Sequence, residues 1–166
     1  MGFFSKLFGG KAEVVNGNHI YAPMAGEAVS ITEVHDPTFS EGMMGNGIAI
    51  KPTDGKVCSP VNGTVDMMFD TGHAVSLVSD TGVEILIHVG LETVGLNGAP
   101  FDIKVKSGDK VKKGQVLMIA DLDAIKAAGL PTITPVLICN TDDYPTFNTT
   151  IGKTVTNADV VIELAK

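Results

Sequence analysis

At 166 residues the chain is long enough for one domain with its own buried core and short for two, and its 44% hydrophobic and 19% charged content excludes a disordered chain. A net charge of −7, with all twelve basic residues lysine and none arginine, argues against a nucleic-acid binder, which needs a basic face to displace counterions. No guanidinium is available to clamp a phosphate, and the acidic balance suits a basic protein partner.

Residues 1–17 read as a flexible N-terminal tail, with 18–166 as the folded domain. Within the tail, Phe3, Phe4, Leu7 and Phe8 share one face of a short helix ended by Gly9-Gly10. With Lys6 and Lys11 alongside, such a helix supports at most weak peripheral membrane contact through residues 1–10. From residue 18 onward, short runs of Val, Ile and Thr alternate with turn-like groups drawn from nineteen Gly and eight Pro. That pattern predicts an all-β fold, an antiparallel sandwich or barrel with a few short helices.

Tyr21-Ala22-Pro23-Met24-Ala25-Gly26 resembles Cys58-Ser59-Pro60-Val61-Asn62-Gly63, the trace of a duplicated β unit. Gly47 to Pro52 reads as a strand before a Thr53-Asp54-Gly55 turn, and 105–117 as a short extended stretch between glycine turns. Asp121 to Gly129 predicts a helix, with an acidic start, an Ala-rich centre and Pro131 beyond. Thr134–Asn140 and Val160–Leu164 read as closing strands. Cys58 and Cys139 make no disulfide framework, the start does not read as a secretory signal, and no apolar run reaches bilayer length. The expectation is a reducing, cytoplasmic setting.

The most informative stretch runs from Thr71 to Gly90. Two β-prone runs, 73–78 and 83–89, flank Ser79-Asp80-Thr81-Gly82, a hairpin signal. A two-residue loop, or a four-residue loop closed by Val78 and Val83, sets His73 directly opposite His88. A loop with an odd count sends them to opposite faces. Opposed residues have Cβ atoms about 4.5–5.5 Å apart, so two imidazoles there reach one transferred group. His19 and His35 lack such a context and are taken as structural or solvent-facing.

Paired histidines suit metal binding, which usually wants a third protein ligand, or phosphoryl transfer. In the latter one neutral imidazole is the nucleophile and the other donates to the phosphoryl oxygens. Thr71, two residues before His73, is placed to orient that ring through its hydroxyl.

Gly82-Val83-Glu84-Ile85-Leu86-Ile87-His88-Val89-Gly90-Leu91-Glu92-Thr93-Val94 is similar throughout to the phosphorylation-site signature of glucose-class enzyme IIA domains of the sugar phosphotransferase system. The resemblance extends from Ala22-Pro23 through Asp36-Pro37-Thr38-Phe39, Met43-Met44-Gly45-Asn46-Gly47 and Thr71-Gly72-His73 to the C-terminus. It implies a β-sandwich of duplicated hybrid topology. It also implies His88 as phosphoryl acceptor, His73 as the histidine needed for passing the group onward, and Thr71 as their hydroxyl neighbour. Position 92, often Asp in relatives, is Glu here, and Glu92 keeps a carboxylate of longer reach. Phe39, Met43, Met44, Phe69 and Leu86 match an apolar collar around the histidines. The implied donor is the phosphocarrier HPr, and the implied acceptor a cysteine on the IIB domain of a sugar permease, glucose being the expected sugar. No cofactor is required. Relatives dock on transporters or metabolic enzymes, sometimes with a zinc ion held by both histidines and a partner carboxylate.

Two other classes fit less well. A LytM-like zinc peptidase wants a His-x-His pair on one strand, whereas His88 is followed by Val89 and Gly90. A biotin- or lipoyl-type carrier wants an exposed lysine at a tight hairpin tip, and Lys110 lacks the expected flanking sequence.

Overall fold

The computed structural model describes residues 17–166; the tail helix expected over Phe3 to Phe8 lies outside them. Fourteen strands and two short α-helices follow one another among the described residues. They are β1 (Gly17–Tyr21), β2 (Gly26–Ser30), α1 (Pro37–Ser40), β3 (Asn46–Pro52), β4 (Lys56–Cys58), β5 (Gly63–Met68), β6 (Ala74–Ser79) and β7 (Glu84–His88). Then come β8 (Phe101–Ile103), β9 (Lys110–Val111), β10 (Val116–Ala120), α2 (Leu122–Ala127), β11 (Thr134–Ile138), β12 (Thr146–Thr149), β13 (Lys153–Val155) and β14 (Val160–Ala165). The expected all-β architecture is what forms: neighbouring strands run antiparallel, and the helices are only four and six residues long. The predicted helix starts on Asp121, whose Oδ1 accepts the Ala124 N–H at 3.0 Å.

One eight-stranded sheet, ordered β13-β2-β3-β11-β7-β6-β5-β9, is accompanied by two three-stranded sheets, β1-β14-β12 and β4-β10-β8. The long sheet divides into two four-strand halves meeting at β11 and β7. Gly26 and Gly63 hold equivalent places, each opening a strand that pairs with Pro52 and Val155 in one half and with Ser79 and Val111 in the other. The two similar segments that lead into them bond to each other, Tyr21 N–H to the Pro60 carbonyl at 3.1 Å and Cys58 N–H to the Pro23 carbonyl at 2.7 Å. The echo in the sequence is thus a repeat in space.

Strand alternation sorts the side chains into two layers. Ile48, Ile50, Val75, Leu77, Ile85, Ile87, Val136 and Ile138 turn inward to the main core. Val29, Ala49, Ala74, Leu86 and Leu137 turn to the other face, where Ile31, Val34, Phe39 and Leu91 cover them. This smaller apolar layer, roofed by the chain around α1, carries the site at its edge.

The hairpin between β6 and β7 differs from the expected register. Ala74, not His73, lies opposite His88, and Val78 lies opposite Glu84. The loop is the three-residue Asp80-Thr81-Gly82: Ser79 N–H donates to the Val83 carbonyl at 2.9 Å, and Gly82 N–H to the Ser79 carbonyl at 3.0 Å. Gly82 has φ +95°, the left-handed third position of a three-residue hairpin loop. Ser79 Oγ also accepts the Val83 N–H at 2.9 Å. An even loop was expected, and the glycine at its third position is the feature that overturns it.

Candidate active site

His88 is the last residue of β7 and continues the outward row of Leu86. Its ring packs on Phe39, with centroids 5.0 Å apart. Phe39 is held there by α1, which starts on Asp36, whose Oδ1 accepts the Thr38 N–H at 3.0 Å. His73 precedes β6 in a bend. With an odd loop, strict alternation would put its ring on the inner face. It does not, because residue 73 is not in extended strand: Gly72, at φ +69°, turns the chain immediately before it. The His73 carbonyl accepts the Val89 N–H at 2.7 Å, which ties this bend to the end of β7. The imidazoles of His73 and His88 therefore meet edge to face, with centroids 5.0 Å apart and planes at 78°.

The hydrogen bonds distinguish the two rings. His88 Nδ1 lies 2.8 Å from the Gly90 carbonyl oxygen. A carbonyl only accepts, so the proton sits on Nδ1 and the lone pair of the neutral ring is on Nε2. His73 Nδ1 lies 2.5 Å from Thr71 Oγ1, which leaves its Nε2 as the other outward nitrogen. Phe69 packs on the His73 ring at 5.3 Å between centroids, so each imidazole is backed by an aromatic ring.

Burial pushes His88 below the usual imidazole value, opposed by its bond to Gly90 and by the Asp36 carboxylate. His73 is also lowered, by burial first and the neighbouring His88 second. Both effects favour neutral rings at neutral pH, the form in which a nitrogen lone pair can attack or ligate.

The residues expected around the pair separate into two kinds. Phe39 and Leu86 are 5% and 7% exposed and belong to the apolar layer, with Phe69 partly buried against it. Met43 and Met44 are 72% and 42% exposed and line a cleft with Ile31, Thr32, Cys139 and Thr141. Glu92 is exposed, at φ +62°. Asp36, whose charge acts on His88, was not singled out in the sequence, nor was the Gly90 carbonyl. The first carried a helix-cap signal in Asp36-Pro37, whereas a backbone carbonyl leaves no mark in a sequence.

His19 pairs in register with Glu163, its Nε2 3.5 Å from Glu163 Oε2, and His35 is exposed. Lys110 lies within β9 opposite Thr64, not at a hairpin tip. Among the described residues no group of three or more His, Cys, Asp or Glu is placed to hold a metal ion. The two imidazoles would supply two ligands, and a zinc ion there needs the rest from elsewhere.

A family model described as phosphoenolpyruvate-dependent sugar phosphotransferase system, EIIA 1, matches residues 18–144, well over half of the chain. The chain belongs to this family. It is therefore a phosphotransferase component, and the paired imidazoles lie within the matched region. The glucose-specific EIIA component of Staphylococcus aureus (strain Mu50) is 45% identical over 145 residues, covering 87% of this chain and 87% of that protein. The beta-glucoside-specific EIIBCA component of Bacillus subtilis (strain 168) is 51% identical over 125 residues, 75% of this chain and 20% of that much longer protein. Among solved structures, glucose permease IIA from Mycoplasma capricolum superposes with a TM-score of 0.85 at 31% identity, covering 92% of this chain and 99% of that one.

Proposed function

We propose that this EIIA accepts a phosphoryl group from HPr on His88 Nε2 and passes it to the IIB domain of a sugar permease, glucose being the favoured sugar. The observation that carries the reading is the bond from His88 Nδ1 to the Gly90 carbonyl, which points a lone pair outward beside a second imidazole. The Nε2 lone pair attacks phosphorus, the donor's bond to phosphorus breaks, and the donor keeps that electron pair. No proton has to leave His88, because Nδ1–H stays against the Gly90 oxygen and shares the positive charge that develops in the ring. With Thr71 donating to Nδ1, His73 presents Nε2–H to the phosphoryl oxygens. Onward transfer reverses the attack, with the acceptor cysteine displacing the imidazole.

Sugar choice belongs to the permease: relatives of similar identity carry glucose-specific and beta-glucoside-specific names, and the glucose assignment follows those matched over most of their length. In this reading the chain works in the cytoplasm, alongside HPr and the IIB domain. In unphosphorylated form the same face docks on transporters or metabolic enzymes, where a partner carboxylate completes a zinc site on His73 and His88.

The test is incubation with phosphoenolpyruvate, enzyme I and HPr. An acid-labile, base-stable adduct is expected, absent in His88→Ala. His73→Gln is expected to label and then fail to pass the group to the IIB domain. Normal labelling of His88→Ala ends the assignment.

A further inference from the structure

We propose that Thr93 is a positioning residue for phosphoryl acceptance: its hydroxyl holds the Val89–Gly90 peptide so that the Gly90 carbonyl keeps the His88 proton on Nδ1. The inference rests on His88 as the acceptor and assigns a role to a side chain that touches neither imidazole.

Thr93 is 0% exposed, and it opens a 3-10 turn, Thr93–Leu96. A hydroxyl buried that completely must be satisfied, and this one donates to the Val89 carbonyl at 2.6 Å. The turn itself does not use it, and the preceding Glu92 makes no side-chain cap bond. The Val89 carbonyl and the Gly90 N–H belong to one planar peptide unit. Fixing that carbonyl fixes the plane from which Gly90 swings, and Gly90 stands at φ +75°, where the backbone needs restraint. The Thr93 methyl adds a second restraint. A Cβ on Gly90 would lie 2.7 Å from Thr93 Cγ2 and 2.8 Å from the Pro131 carbonyl oxygen, so both atoms crowd the side of Gly90 where a side chain would stand.

The peptides on either side of the Val89–Gly90 unit reach both histidines. Val89 N–H bonds the His73 carbonyl at 2.7 Å, and one residue on the Gly90 carbonyl takes the His88 proton at 2.8 Å. Leu91 N–H bonds the Pro131 carbonyl at 3.2 Å and closes the segment from the far side. A Val89–Gly90 peptide free to rotate would move the Gly90 α-carbon, and with it the Gly90–Leu91 plane whose oxygen meets Nδ1. The proton could then settle on Nε2, and the outward nitrogen would have no lone pair to offer.

The experiment reads the tautomer directly, by ring 15N chemical shifts of His88 in the full chain, with no phosphoryl donor present. The unsubstituted protein is expected to show Nδ1–H alone. Thr93→Val, which keeps the shape and removes the hydroxyl, is expected to show a mixture and to accept phosphate from HPr about tenfold more slowly, in the range typical of outer-shell partners. Thr93→Ser is expected to restore both the single tautomer and the rate. Thr93→Val with His88 still wholly Nδ1–H overturns the proposal, as does Thr93→Ser behaving like Thr93→Val. If Thr93→Val does not fold, Thr93→Ala, which also lacks the hydroxyl, is read in its place: a mixture supports the hydroxyl's role, and a single Nδ1–H tautomer sinks it. Because this readout needs no phosphoryl transfer, a failed acceptor assignment shows separately, as labelling that survives His88→Ala.

Discussion

His88 and His73 are both held below the ordinary imidazole value of 6.5, chiefly by burial, and this sets the pH behaviour of the site. In the proposed mechanism phosphoryl acceptance requires neutral His88, so its rate is expected to stay flat as pH falls to 6.5 and to drop only in more acid solution. Stability carries the opposite mark of the same shift. The unfolded chain takes up protons at these positions as pH falls through 6.5, before the folded chain does, so stability declines there and levels off below the folded values. Replacing both histidines by Gln is expected to flatten that decline, as read by urea midpoints across the pH series. A decline unchanged by the double substitution would place its origin elsewhere.

Among the collar residues, exposure separates packing from docking. Phe39→Ala removes a ring that is 5% exposed and backs His88, and is expected to destabilise the fold by about 3–5 kcal/mol. Met43, at 72% exposed, is expected to change stability by less than about 0.5 kcal/mol on substitution by Ala, while weakening transfer from HPr. Thermal melts beside transfer rates test this, and unaltered transfer in Met43→Ala would remove it from the docking surface.

At the scale of elements, two glycine-bearing bends at opposite ends of β6 have different consequences. Gly82, at φ +95°, closes the hairpin loop with nothing within 4 Å of an added Cβ. Gly82→Ala is expected to cost about 1–2 kcal/mol from backbone strain alone and to leave phosphoryl transfer intact. Gly72, at φ +69°, has Phe101 Cβ 2.7 Å from where its own Cβ would stand. Gly72→Ala is expected to cost more and also to displace His73, so that onward transfer to the IIB domain falls while labelling of His88 persists. Equal effects of the two substitutions on transfer would show that the bend before β6 does not place His73.

The hairpin also shows what could be read from the sequence at this scale. Ser79-Asp80-Thr81-Gly82 marked a reversal between two β-prone runs, and a reversal is there. Loop parity was a finer matter, decided by Ser79 pairing with Val83 across three residues. The expected juxtaposition of the histidines survives that shift because His73 stands in a bend, where alternation does not apply.

For the molecule as a whole, a net charge of −7 without arginine and exposed Met43, Met44 and Val94 fit the proposed brief encounter with a basic partner. Steering by charge is screened by salt, so transfer from HPr is expected to slow several-fold as ionic strength rises from low to physiological levels and beyond. Stopped-flow or quench measurements over a salt series check this; a salt-independent rate would assign recognition to apolar contact alone.

The sequence by itself determined the fold class, the repeated unit and the two histidines, because these are written as local periodicity, turn chemistry and a contiguous signature. Tertiary structure decided the rest. Only folding brings Phe39 of α1 against His88, turns Gly90's carbonyl onto a ring nitrogen, and buries Thr93 beneath that peptide. Tautomers and backbone directions arise from atoms that every residue shares, so residue identity alone cannot encode them.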